Sequence, residues 1–220
     1  MCQFRTGLPP TCTSCYDPDE SGFFAREQSL TSEVRPLAPA GVRSRDEIRA
    51  VVLAGVAGAG KSTLGPLLAR ELDWPFFDTN DLHPSSNIEK MRRGIPLEDA
   101  DRWPWLEKVR ALIERVVGDG GTGVFECSAL KEAYREFVIR GRPETRVVLL
   151  VVDPETARAR VAARSGHYFP VGMLESQFET LEPIRYGIDV DASKDPEAVV
   201  ELILARLGLR TRAQKEGESD

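Results

Sequence analysis

The stretch Gly55-Val56-Ala57-Gly58-Ala59-Gly60-Lys61-Ser62 constrains this chain more than any other, because it fills every fixed position of G-x-x-x-x-G-K-[ST]. Its setting matters as much as its letters. Arg49–Gly55 (RAVVLAG) is a short β-branched apolar run that reads as a fully buried strand. Lys61–Leu72 follows with Leu64, Leu67, Leu68 and Leu72 at helical spacing. A glycine-rich turn between a buried strand and a helix lets backbone N–H groups face inward and surround phosphate oxygens, backed by the positive end of the helix. The motif therefore predicts a nucleotide phosphate cradle, Gly55, Val56, Ala57, Gly58, Ala59, Gly60, Lys61, Ser62 and Thr63. Lys61 would reach the terminal phosphates and Ser62 would hold Mg²⁺ through its hydroxyl.

The rest of the chain alternates in the same way. Pro75–Asp78, Gly123–Cys127, Val147–Val152 and Ile188–Val190 read as further strands. Pro104–Val117, Pro154–Arg164 and Pro196–Leu207 read as helices, with Asp153 suited to cap the second. Strands alternating with helices predict an α/β fold of the P-loop NTPase type: a parallel five-stranded sheet between helix layers. Residues 1–47 are rich in Pro, Ser, Thr and charge without sustained periodicity and read as a disordered extension. The folded kinase-like domain is expected over 48–209, with a polar tail over 210–220.

Composition narrows the partners. A net charge of −6 argues against nucleic acid, whose backbone calls for a basic surface. No apolar run reaches membrane-spanning length and no secretion signal opens the chain, so a cytoplasmic location is expected. Cys12 and Cys15 have C-x-x-C spacing without a second pair, and read as incidental.

A phosphate loop alone names no reaction. The guanine-reading Asn-Lys-x-Asp motif is absent, and the strand end Phe125-Glu126-Cys127-Ser128 offers one carboxylate where motor ATPases usually carry a pair. A compact domain with a charged late segment suggests a phosphate-transfer enzyme with a helical lid. Arg160 and Arg164 stand one helical turn apart, Gly166 breaks the helix, and His167-Tyr168-Phe169-Pro170 opens a loop before Leu174–Leu181. Both arginines are expected to reach over the transferring phosphate as catalytic groups.

Several blocks then carry a specific resemblance. They are Asp81-Leu82-His83-Pro84 with Asn87 and Lys90-Met91; Gly94-Ile95-Pro96-Leu97 with Asp99, Asp101, Arg102 and Trp105; Cys127-Ser128-Ala129-Leu130-Lys131 with Tyr134-Arg135; and Arg164–Phe169 with Ser176-Gln177-Phe178-Glu179. Together they resemble the gluconokinase family within the shikimate-kinase-like group, from about Ala50 to about Leu207. The resemblance implies ATP and Mg²⁺ as cofactors, gluconate as the small sugar acid phosphorylated at its primary hydroxyl, and homodimers among relatives. It leaves open another acid such as shikimate or a different aldonate, and a nucleotide-binding module without catalysis.

Asp78 and Asp81 follow the second strand, at the carboxyl edge where α/β proteins bind ligands. One would orient Mg²⁺ and the other would accept the proton of the attacking hydroxyl. Asp81 is the expected base and Asp78 the expected metal-side ligand, yet Asn80 stands where relatives often carry a second acid. The family pattern further implies substrate contacts from Arg102 to the carboxylate, from Lys131 and Arg135 as added positive field, and from His83 and His167. For Arg102 the competing reading is a surface salt bridge to Asp99 or Asp101. For His83 it is a turn-stabilising role beside Pro84.

Overall fold

A computed structural model describes residues 48–163 and 171–216. Its centre is β1 (Ala50–Ala54), buried along its whole length. Apolar residues at every position suit a strand covered on both faces. The remaining strands are β2 (Phe76–Asp78), β3 (Gly123–Glu126), β4 (Thr145–Val151) and β5 (Ile188–Asp191). They form one five-stranded sheet in the order β2-β3-β1-β4-β5, with every neighbouring pair parallel.

Alternation along the strands divides the core into two halves. Val51, Leu53, Val148 and Leu150 face α1 (Lys61–Leu72) and α7 (Pro196–Leu207). Ala50, Val52, Val147 and Leu149 face α3 (Asp99–Gly118) and α4 (Glu132–Ile139). Helices therefore cover both faces, and the strand order reverses at β1, with β2 and β3 added on one side and β4 and β5 on the other. That reversal opens a crevice at the carboxyl ends of the central strands, where such sheets bind ligands.

The elements read from the sequence are present with shifted ends. α3 starts at Asp99, ahead of the expected Pro104, because Glu98 and Asp101 form a capping box in which the Glu98 N–H donates to Asp101 Oδ2 at 2.9 Å. α5 (Pro154–Ala162) starts as expected, its Asp153 cap accepting the Thr156 N–H at 2.8 Å. Three helices escaped the sequence reading, α2 (Ser85–Arg92), α4 and the short α8 (Arg212–Glu216). α2 buries only Asn87, so no apolar stripe marks it. α4 buries Arg135 beside Tyr134 and Val138, which breaks the apolar period. α6 (Leu174–Thr180) follows α5 in the late segment expected to be helical, and α8 lies in the expected polar tail. Residues 1–47, with Cys12 and Cys15, lie outside the described residues, as do Arg164 and His167. Among the described residues no helix is long and apolar enough to cross a membrane.

Candidate active site

The loop after β1 has the backbone shape that a phosphate cradle needs. Gly55, Gly58 and Gly60 all have positive φ, and Gly60 at 98° hands the chain into α1. Gly58 is required twice over. Its φ is 79°, and a Cβ there would lie 2.5 Å from the Ala157 carbonyl oxygen on α5. Lys61, only 8% exposed, folds back over the loop and donates to the Gly55 and Val56 carbonyls at 3.0 Å each. Ser62 and Thr63 are exposed at the start of α1. All nine cradle residues expected from the sequence thus form one loop-to-helix unit.

β3 ties this loop to a second one. The Cys127 N–H donates to the Leu53 carbonyl, and the Gly55 N–H to the Ser128 carbonyl, each at 3.0 Å. The Cys127–Lys131 block therefore runs beside the phosphate loop. Ala129 within it has φ 33°, an uncommon conformation for a residue with a Cβ. Burial pushes the Cys127 thiol up to about 12, so it stays protonated and is no nucleophile.

Asp78 ends β2 in register with Glu126 of β3, which is itself in register with Leu53 of β1. Two strand spacings put Asp78 about 10 Å across the sheet edge from the phosphate loop. Its Oδ1 accepts the Asn80 N–H at 2.8 Å, shaping the 3-10 turn Asn80–Leu82 that presents an exposed Asp81. Thr79, wholly buried between them, donates to the Glu126 carbonyl at 2.5 Å and accepts the Trp105 indole N–H on its own carbonyl at 2.8 Å. These bonds fix the turn against α3.

His83 stacks on Trp105 with ring centroids 4.2 Å apart. Burial, then the neighbouring Arg102 and Lys108 charges, lowers its pKa from 6.5 to about 4, so the ring is neutral near pH 7. Asn87 Nδ2 lies 3.3 Å from His83 Nδ1 and donates to the Asp101 carbonyl at 2.7 Å. With Nδ1 accepting, Nε2 carries the proton and is a donor.

Arg102 is half-buried, and this desolvation lowers its pKa against the opposing pull of Tyr134, Asp99 and Asp101. Both candidate salt-bridge acids are engaged elsewhere. Asp101 pairs with Lys90 at 2.7 Å. Asp99 pairs with Lys131 at 2.7 Å and accepts the Tyr134 hydroxyl at 2.6 Å, contacts that hold its carboxyl below the usual range. Among the described residues no carboxylate lies within ion-pairing distance of the Arg102 guanidinium; its Nε donates to the Leu97 carbonyl at 3.3 Å. Lys131 is neutralised by Asp99 and sits 5.6 Å over the Tyr134 ring.

One expected role is corrected, that of Arg135. Arg135 is 1% exposed, and all five of its N–H groups are used: Nε on Glu132, Nη1 on the Ala129 and Leu130 carbonyls, Nη2 on the Glu182 and Pro183 carbonyls. With no donor left over, it is a structural clamp and not a substrate ligand. Arg160 reaches the phosphate loop, its Nη1 donating to the Gly58 carbonyl at 3.4 Å. Its Nη1 donates to the Ala192 carbonyl at 2.8 Å and its Nη2 to the Ser193 carbonyl at 3.3 Å, because the turn after β5 offers those carbonyls alongside α5. It walls a cavity of about 280 Å³ with Gly58, Gly60, Thr63, Ala192 and Pro196, beside the loop where the rest of a nucleotide would extend.

Comparison with known proteins gives consistent findings. Residues 57–182 match the family described as shikimate kinase. A thermosensitive gluconokinase of Escherichia coli (strain K12) is 38% identical over 177 residues, covering 77% of this chain and 95% of the relative. A solved sugar kinase of Janibacter sp. HTCC2649 superposes with TM-score 0.70 at 36% identity, covering 74% of this chain and 95% of that one. A solved gluconokinase of Sinorhizobium meliloti 1021 gives TM-score 0.63 at 34% identity, covering 76% and 94%.

Proposed function

The chain belongs to the gluconokinase family, and from that membership we infer that it moves the γ-phosphoryl group of ATP onto the primary hydroxyl of gluconate, giving ADP and 6-phosphogluconate. The observation that carries the acceptor assignment is Arg102, a desolvated guanidinium with its two neighbouring acids already engaged. A half-buried cation without a carboxylate partner keeps part of its desolvation cost, and a substrate carboxylate would relieve it with a bidentate pair.

The remaining residues divide the task. Amides of Gly58–Thr63 would surround the phosphates, and the Lys61 ammonium, already directed by the Gly55 and Val56 carbonyls, would meet the terminal ones. The Ser62 hydroxyl and the Asp78 carboxylate, oxygen donors at the loop and at the neighbouring strand end, suit a hard cation that keeps phosphate oxygens and water as its other ligands. Bound there, Mg²⁺ would neutralise charge on the phosphate oxygens. Asp81, exposed at the crevice, would take the proton of the attacking hydroxyl as its oxygen bonds to phosphorus and the bond to ADP breaks. His83 Nε2–H would donate to a substrate hydroxyl. Arg160 belongs to the nucleotide side as a wall residue.

A coupled ADP-release assay with Mg²⁺ across gluconate, other aldonates and shikimate tests this reading. Release that depends on gluconate is expected. Equal release without any acceptor, or a preference for shikimate, would remove the assignment.

A further inference from the structure

The Val56–Ala57 peptide unit is held from both sides. Its carbonyl accepts the Lys61 ammonium at 3.0 Å, and its N–H donates to Gln177 Oε1 at 2.7 Å. A trans peptide points these two groups in opposite directions. One rigid plane therefore stands between a lysine inside the phosphate loop and a glutamine on α6 that is 120 residues from Ala57 in sequence.

Gln177 is mounted on a firm base. Leu174 is buried, and Phe178 and Leu181 pack against the core. Just beyond α6 the Glu182 N–H donates to the Leu130 carbonyl at 3.0 Å, and the Glu182 carboxylate accepts the Glu132 N–H at 2.7 Å. Water could satisfy the Ala57 N–H equally well, but it would not hold the plane in one orientation. Freed of the glutamine, the unit could turn about its flanking dihedrals and swing the Val56 carbonyl away from Lys61. That oxygen would then confront phosphate oxygens, like against like.

We propose that Gln177 is a positioning residue for Lys61, acting through the Val56–Ala57 peptide to aim the ammonium at the terminal phosphates of ATP. The proposal rests on reading Gly55–Thr63 as the ATP phosphate cradle. It differs from a plain packing role for α6 in one respect. Because Lys61 would meet only the β- and γ-phosphates, loss of Gln177 must be felt in proportion to phosphate number.

The test replaces Gln177 by Met, which keeps length and removes the acceptor, and measures binding of AMP, ADP and the β,γ-imido analogue of ATP by calorimetry. The analogue should bind about three- to tenfold more weakly, the worth of one hydrogen bond. AMP binding should stay within twofold, kcat should fall by a similar factor, and the KM for gluconate should not move. Ala57→Pro removes the same bond from the donor side and should give the same pattern, with the double variant within twofold of either single one. Equal weakening of all three nucleotides, or no weakening, overturns the proposal. Wild-type protein that binds the analogue no better than AMP would instead remove the cradle reading itself, so the two failures are distinct.

Discussion

Arg135 Nη2 lies 2.7 Å from Glu132 Oε2, and the two side chains are only 1% and 10% exposed. The same guanidinium also gathers carbonyls from Ala129–Leu130 and from Glu182–Pro183, so it joins the loop after β3 to the chain beyond α6.

That clamp predicts a stability effect. Arg135→Met strands a buried carboxylate and four carbonyls, and should cost about 3–5 kcal/mol of unfolding free energy. Arg135→Lys should recover only part of this, because three rotating donors cannot reproduce a planar fork of five. Urea denaturation checks both. A variant of unchanged stability whose gluconate KM rises would return Arg135 to the substrate.

Arg102 predicts the opposite combination. Arg102→Met should raise the KM for gluconate about 10- to 100-fold, the worth of a charge-assisted pair. The same change should leave the protein no less stable, because a desolvated cation without a paired acid is removed. Steady-state kinetics and a thermal melt decide it; a fall in stability with unchanged KM would make Arg102 a structural residue.

His83 predicts a pH dependence. Its folded pKa of about 4 lies below the ordinary 6.5, so between these values the unfolded chain binds more protons and stability rises with pH. The contribution is fully present above pH 6.5 and is lost as pH falls toward 4. At about 1.4 kcal/mol per unit it reaches about 2–3 kcal/mol after allowance for partial solvation. His83→Gln should flatten the pH 4–6.5 limb of the urea-midpoint profile; an unchanged limb in that variant would assign the dependence to other groups.

The sheet was legible because both of its signals are local. Val51 through Leu53 and Val147 through Leu150 are apolar at every position, as strands covered on both faces must be. The cradle was legible for a similar reason: its glycines serve the backbone, and backbone geometry at a tight turn depends on near neighbours. α2 and α4 were not, since each buries polar residues, Asn87 in one and Arg135 in the other, whose partners come from distant segments. Among charged side chains the reading was least secure. Arg135, Arg160 and Lys131 look alike as sequence letters, and what each one does depends on which carbonyl or carboxylate the fold brings beside it.

By itself, then, the sequence determined the five strands, the helices that carry an apolar stripe, the phosphate loop and the family blocks, all of which are set by spacing within a few residues. Only the tertiary structure decided which cations are already satisfied and which still seek an anion. A guanidinium's role depends on its desolvation and on its partners, and both are properties of groups far apart along the chain. The link from Gln177 through Ala57 to Lys61 is of this second kind, a hydrogen bond between segments that no local pattern relates.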